Sequence, residues 1–225
     1  MDFEKNSEEI DLSFEEYYNK LIEIVRDTAH EAYMMEVILP LLRMCCVDGI
    51  KVVPVFDDRA VGRKTNKERK VLDRMKTISA PNGSSYVVPD YIFVPKNYSY
   101  SDPKKPLLMV ETKLPNIVIK DDSLLYVDLN DSIRKYDSQI KAEINACKYV
   151  VVTDGFTWLF LTKDKNGEII EDKAYRSVSL LRKGKRNRKI YEASKKVNPP
   201  EWEEIPKTIK RLLKDLSRNS SETLL

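Results

Sequence analysis

The sequence predicts an α/β domain on three observations: an amphipathic helical stripe near the amino terminus, apolar strands punctuated by turn residues, and a further helical stretch lying between two sets of strands. At 225 residues and 42% hydrophobic content the chain is long enough for one sizeable core. The expected division is a core over residues 1–175 and a basic carboxyl-terminal extension over 176–225.

In chain order, residues 14–43 read as one long helix, because Phe14, Tyr17, Leu21, Ile24, Thr28, Met35, Leu39 and Leu42 share a face at helical spacing. Pro40 should kink its last turns. Asp48 and Gly49 stop it, "IKVVPVF" (50–56) reads as a strand, and "DDRAVGRKTNKERK" as a solvated basic connection. Strands follow at about 86–94 and 107–113, and residues 121–146 contain a second helix. "YVVVTDGFTWLFL" (149–161) reads as two strands around Asp154–Gly155, a dipeptide suited to a tight hairpin turn. The order is helix, strands, helix, strands. In the tail, "RKGKRNRK" (182–189) concentrates positive charge, and "NPPEW" precedes a short basic helix near 206–217.

Thirty-nine basic against 36 acidic residues leave a net charge of +3, so attraction to nucleic acid must come from local clustering. Cys45, Cys46 and Cys147 form neither an even disulfide framework nor a spaced zinc motif, which points to a reducing cytosol. No stretch approaches the roughly 20 apolar residues of a membrane span. A soluble cytoplasmic protein without membrane contact is expected. No P-loop signature is present, so no helicase motor is encoded in this sequence.

Two strands carry charge where apolar residues belong: "VVPDYIFVP" (87–95) and "LLMVETKLP" (107–115). If they pair as an antiparallel hairpin with opposed residue numbers summing to near 201, Asp90 faces Glu111. Glu111 and Lys113, two apart on a strand, then share that face. Burying three such charges is costly unless they face one another, a metal or a polar ligand. Two close carboxylates repel unless a cation lies between them, and a hard divalent ion such as Mg²⁺, with Mn²⁺ as substitute, answers that need. The carbonyl of Thr112 is a candidate third oxygen. Lys113 would then orient or activate an attacking water, or neutralise charge in the transition state. The chemistry indicated is metal-assisted phosphodiester hydrolysis.

"PD" at 89–90 followed by "ETK" at 111–113 resembles the PD-(D/E)XK nuclease superfamily, over about residues 14–161. That resemblance implies a restriction-endonuclease-like core, a central mixed β-sheet flanked by helices. "HEAYMMEVILPLL" (30–42) and "SQIKAEINACKYVVVTDGFTWLFL" (138–161) are similar to the nuclease domain of type I restriction-enzyme cutting subunits. By that likeness Glu31 is a supporting acid, with Glu36 on the opposite edge as the substitute candidate, and Gln139 lies near the active site. The aromatic residue that follows this glutamine by four in that branch is Glu143 here. Trp158 reads as core. The function implied is a Mg²⁺-dependent DNA endonuclease of restriction or defence type, with DNA ahead of RNA as substrate, acting alone, as a homodimer or with a partner subunit. Arg182, Lys183, Lys185, Arg186, Arg188 and Lys189 would hold the phosphate backbone. Two rivals stand beside it. A viral cap-snatching RNA endonuclease shares the fold and uses a histidine on an early helix, and His30 is the single histidine. A non-catalytic nucleic-acid-binding module is the other, against which the intact Asp90, Glu111 and Lys113 set argues.

Overall fold

Ser13 starts the first helix with a reciprocal cap: its hydroxyl accepts from the Glu16 N–H at 3.2 Å, while its own N–H donates to Glu16 Oε2 at 3.2 Å. The computed structural model describes residues 12–27, 31–55, 89–98, 106–120, 123–127, 129, 137–181, 188–189 and 200–222. The helices are α1 (Phe14–Asp27), α2 (Glu31–Met44), α3 (Asp137–Cys147) and α4 (Pro200–Glu222). The strands are β1 (Ile50–Pro54), β2 (Tyr91–Pro95), β3 (Leu108–Thr112), β4 (Asn116–Lys120), β5 (Ser123–Val127), β6 (Val150–Thr153), β7 (Thr157–Lys163), β8 (Ile169–Glu171), β9 (Val178–Ser179) and β10 (Arg188–Lys189).

The main sheet runs β1-β2-β3-β6-β7-β8, with β9 also paired to β7. It is mixed, because β3 and β6 are parallel while the other neighbours are antiparallel. Period-two alternation gives it two apolar faces. Tyr91, Phe93, Leu108, Val110, Val151, Trp158 and Phe160 point to one, where α1, α2 and α4 cover them. Ile92, Val94, Met109, Val150, Val152, Leu159 and Leu161 point to the other, against Ile140 and Ile144 of α3. Each such side chain, once fully buried, contributes about 1.5–3 kcal/mol. The molecule is thus a helix–sheet–helix sandwich, and Trp158, fully buried, belongs to its core.

A second, three-stranded sheet has the order β10-β5-β4. It is tied to the main sheet by Tyr126 of β5, whose hydroxyl donates to Asp154 Oδ2 and lies 3.0 Å from Thr157 Oγ1 at the β6–β7 turn. In that turn Asp154 Oδ1 accepts from the N–H groups of Phe156 (3.1 Å) and Thr157 (2.8 Å). Gly155 holds φ +84°, a backbone conformation that favours glycine, and a Cβ there would also press on the Leu21 side chain, Cδ2 at 2.6 Å.

The structure adds detail to these expectations. The amino-terminal stretch forms two helices, whose buried faces (Phe14, Tyr17, Leu21 on α1; Met34, Ile38, Leu41 on α2) are out of phase with a single continuous helix. α2 continues through Pro40 to Met44. The stretch 121–146 holds β5 as well as α3, because "SLLYV" pairs with both β4 and β10. Part of the segment after 176 joins the core: β9 pairs with β7, and Trp202, Ile205, Ile209 and Leu213 of α4 are buried against the first face. The helix expected at 206–217 spans Pro200–Glu222. The basic connection "DDRAVGRKTNKERK" and the expected strand start at 86–88 lie outside the described residues.

Candidate active site

The β2–β3 pairing has the register Tyr91↔Val110, Ile92↔Met109 and Phe93↔Leu108, so opposed residue numbers sum to 201 as the charge pattern predicted. Asp90 directly precedes β2 and continues that register toward Glu111. Its backbone closes the strand end, with the carbonyl accepting from Val55 N–H at 2.8 Å. Its side chain does the same for β3: Oδ2 accepts from Thr112 N–H at 2.6 Å. The carboxylate takes a ladder position that the end of the sheet would leave to water.

Glu111 and Lys113 lie at the carboxyl end of β3, on the face that α3 covers, and are 4% and 6% exposed. Lys113 N–H donates to Thr153 O at 2.8 Å, extending the parallel ladder past the strand and fixing where its side chain starts. The Lys113 ammonium donates to Glu111 Oε1. From α3, Gln139 Nε2 donates to Glu111 Oε1 at 2.6 Å and to Glu143 Oε1 at 3.0 Å, and Gln139 Oε1 lies 3.5 Å from Lys113 Nζ. One amide therefore reads all three charged neighbours. Removing either member of a buried ion pair of this kind costs about 3–5 kcal/mol, because the survivor stays buried and uncompensated.

Glu143 was not among the residues the sequence singled out as functional, yet it has no exposed surface. Burial, then the Glu111 charge beside it, hold its carboxyl well above the usual carboxylate range. The two carboxyls lie within hydrogen-bond reach of each other. Glu143 Oε2 is buried with no hydrogen-bond partner among the described residues. The only sequence signal was its spacing, four residues after Gln139 on one helix face.

Among the described residues no group of three or more His, Cys, Asp or Glu side chains could hold a metal ion. In donor chemistry the residues present do fit a hard divalent cation. The ligands on offer are oxygens, the donor type that such a cation takes. The orphaned, buried Glu143 oxygen calls for a proton or a cation beside it.

The other expected site residues divide. Glu111, Lys113 and Gln139 come together, and Asp90 bonds the N–H of Thr112, which lies between the two charged residues and has its Oγ1 buried without a partner among the described residues. Glu31 opens α2, and its side chain lies outside the described residues, as does His30. Glu36 is exposed. It does act on Tyr91, whose hydroxyl burial chiefly, then the charges of Asp90 and Glu36, push above its ordinary range. That hydroxyl donates to the Met35 carbonyl, so α2 passes the same end of the sheet on the face opposite α3. Of the basic stretch, Arg182, Lys183, Lys185 and Arg186 lie outside the described residues. Arg188 and Lys189 form β10 opposite Tyr126 and Leu125. Their strand belongs to the sheet whose first member, β4, starts three residues after Lys113.

No helix among the described residues is long and apolar enough to cross a membrane. Comparison of the chain with protein-family models, curated proteins and solved structures finds no match.

Proposed function

We propose that this protein is a Mg²⁺-dependent endonuclease that hydrolyses phosphodiester bonds, DNA foremost, on a restriction-endonuclease-like core, and that it serves restriction or defence. The observation that supports this reading is the buried cluster of Glu111, Lys113 and Gln139 at the carboxyl end of β3, with the Asp90 carboxylate bonded to the Thr112 N–H between the two charged residues. A charged set of this kind is expensive as mere scaffolding.

Asp90, Glu111 and the Thr112 carbonyl are the residues that would hold the cation. A bound Mg²⁺ would supply Lewis acidity toward phosphate oxygens. Lys113 neutralises charge developing on the phosphoryl oxygens and orients the attacking water. Gln139 keeps the lysine and Glu111 in fixed relation, so little reorganisation is needed as charge develops. The segment 182–189, moored through β10, binds phosphate backbone.

The test is cleavage of linear and circular duplex DNA, single-stranded DNA and RNA by the full chain, with Mg²⁺ or Mn²⁺ and with a chelator. Metal-dependent nicking or linearisation of circular duplex is expected. Circular substrate also reveals whether one strand or both are cut, which separates a chain acting alone from a homodimer. No cleavage of any of the four substrates in either metal would refute the reading.

A further inference from the structure

Gln139 is the residue through which α3 meets the charged end of β3, and its neighbour one turn on has no role in the reading so far. Glu143 has no exposed surface, and its Oε1 accepts from Gln139 Nε2 at 3.0 Å. Ile140 and Ile144, which flank the pair on the helix, are buried in the same core cluster as Met109 of β3 and Val152 of β6, so the backbone beneath both polar side chains is held against the sheet. A core position costs least when filled by an apolar side chain. The acid at 143 is therefore kept at a cost, and the bond it makes to Gln139 is what it offers in return.

We infer that Glu143 is a positioning residue of the proposed site: together with Glu111 it clamps the Gln139 amide so that the amide oxygen is presented to the Lys113 ammonium. The inference rests on the nuclease reading above and adds a support for the lysine that the reading leaves open. A primary amide carries two N–H donors on one nitrogen and a single acceptor oxygen. In Gln139 the nitrogen serves Glu111 Oε1 at 2.6 Å and Glu143 Oε1 at 3.0 Å, and the oxygen lies 3.5 Å from Lys113 Nζ. The last torsion of a glutamine side chain has broad preferences, so bonds and not rotamer wells decide where its oxygen points. Held by Glu111 alone, the amide is free to pivot about that one bond and carry its oxygen away from the lysine. A second acceptor on the same nitrogen fixes the amide plane, and an amide turned end for end would set its oxygen against two carboxyl groups. Lys113 also donates to Glu111 Oε1. The ammonium is thus located by a carboxylate and by an amide oxygen whose direction Glu143 sets.

The rival is a packing role, in which Glu143 only fills space under α3. Single-turnover cleavage in Mg²⁺, binding of uncleaved substrate in Ca²⁺ and the unfolding temperature separate the two, measured on the full chain as wild type, Glu143→Met, Glu143→Leu and Glu143→Gln. Methionine and leucine fill the space without accepting from Gln139, whereas glutamine keeps an acceptor oxygen there. The folded apolar variants should cleave at least about tenfold more slowly, since misplacing a group at a site by about 1 Å costs up to about a hundredfold. Their substrate binding should stay within about threefold of wild type, and Glu143→Gln should restore cleavage to within about threefold. In ¹H–¹⁵N spectra the side-chain amide signals of Gln139, assigned by their loss in Gln139→Met, should move in the apolar variants and stay in place in Glu143→Gln. A folded apolar variant that cleaves at the wild-type rate, or a Glu143→Gln protein as slow as the apolar variants, would overturn the positioning role while the nuclease reading stands. If wild type cuts nothing in either Mg²⁺ or Mn²⁺, that reading fails and takes this role with it.

Discussion

Asp154 is 1% exposed, and burial raises its carboxyl from 3.8 to about 6 against the lowering effect of its bonds from Tyr126, Thr157 and Phe156. The folded state therefore holds this proton more tightly than the unfolded chain does. Its contribution to stability is fully present below the unfolded value near 3.8 and is lost as pH rises through about 6. A change of about two pKa units corresponds to about 3 kcal/mol over that window. Asn at this position can still accept from Phe156 and Thr157, and Tyr126 can turn its hydroxyl to Thr157. In Asp154→Asn, denaturant unfolding from about pH 4 to pH 6.5 should lack this fall, so the variant gains on wild type as pH rises. Parallel profiles would show that the site does not titrate there. Neither this residue nor Glu143 was legible as buried from sequence. Asp154 reads as a plain turn former, and Glu143 sits among the polar residues of "SQIKAEINAC", where nothing in the pattern distinguishes a solvated acid from one capped by a sheet.

At the level of elements, the β2–β3 register was legible because alternation leaves little choice: a one-residue slip would turn Ile92 and Met109 from one core to the other and Asp90 away from Glu111. The β6–β7 hairpin was legible through Asp154–Gly155. The β4–β5 hairpin was not, since "NIVIKDDSLLYV" offers a short apolar run whose period fits either helix or strand. The two-residue strands β9 and β10 carry no pattern at all. The helical stripe was legible, its continuity was not, and the choice of supporting acid depends on it. Position 31 precedes Met34 and Ile38 of the buried α2 face by three and seven residues, whereas Glu36 is exposed. Single-turnover cleavage should therefore fall at least about tenfold in Glu31→Gln, about 1.4 kcal/mol of barrier. Glu36→Gln should remain near wild type, and both should melt as wild type does. Loss in Glu36→Gln alone would transfer the role to that residue, and no loss in either would remove α2 from the chemistry.

Across the whole molecule, the sequence pointed to one core with a basic tail, and the packing draws β9 and α4 of that segment inward. Trp202 lies edge-on to Phe14 with ring centroids 5.7 Å apart, and it packs 4.9 Å from Tyr17, so α4 is built against α1. Tyr175 reinforces this, donating to Asp215 of α4 at 2.6 Å beneath the Arg211 guanidinium. Ile209→Ala, at a fully buried position, should lower the unfolding free energy by about 2–5 kcal/mol in denaturant melts. A change below about 0.5 kcal/mol, the range of surface substitutions, would mean α4 is an appendage after all. The same three layers frame the proposed site, because the carboxyl end of β3 lies under α3 and leads into β4. The account's central claim, the proposal that Lys113 acts with Asp90 and Glu111 in hydrolysing phosphodiester bonds, is tested most directly by single-turnover cleavage in Mg²⁺ of whichever substrate wild type cuts, wild type against Lys113→Ala. Binding of the uncleaved substrate in Ca²⁺ and the unfolding temperature are measured on the same samples. The account predicts a folded variant that binds within about threefold of wild type yet cleaves at least about a hundredfold more slowly, the signature of a group acting on the transition state. A folded Lys113→Ala protein that cleaves at the wild-type rate would contradict it.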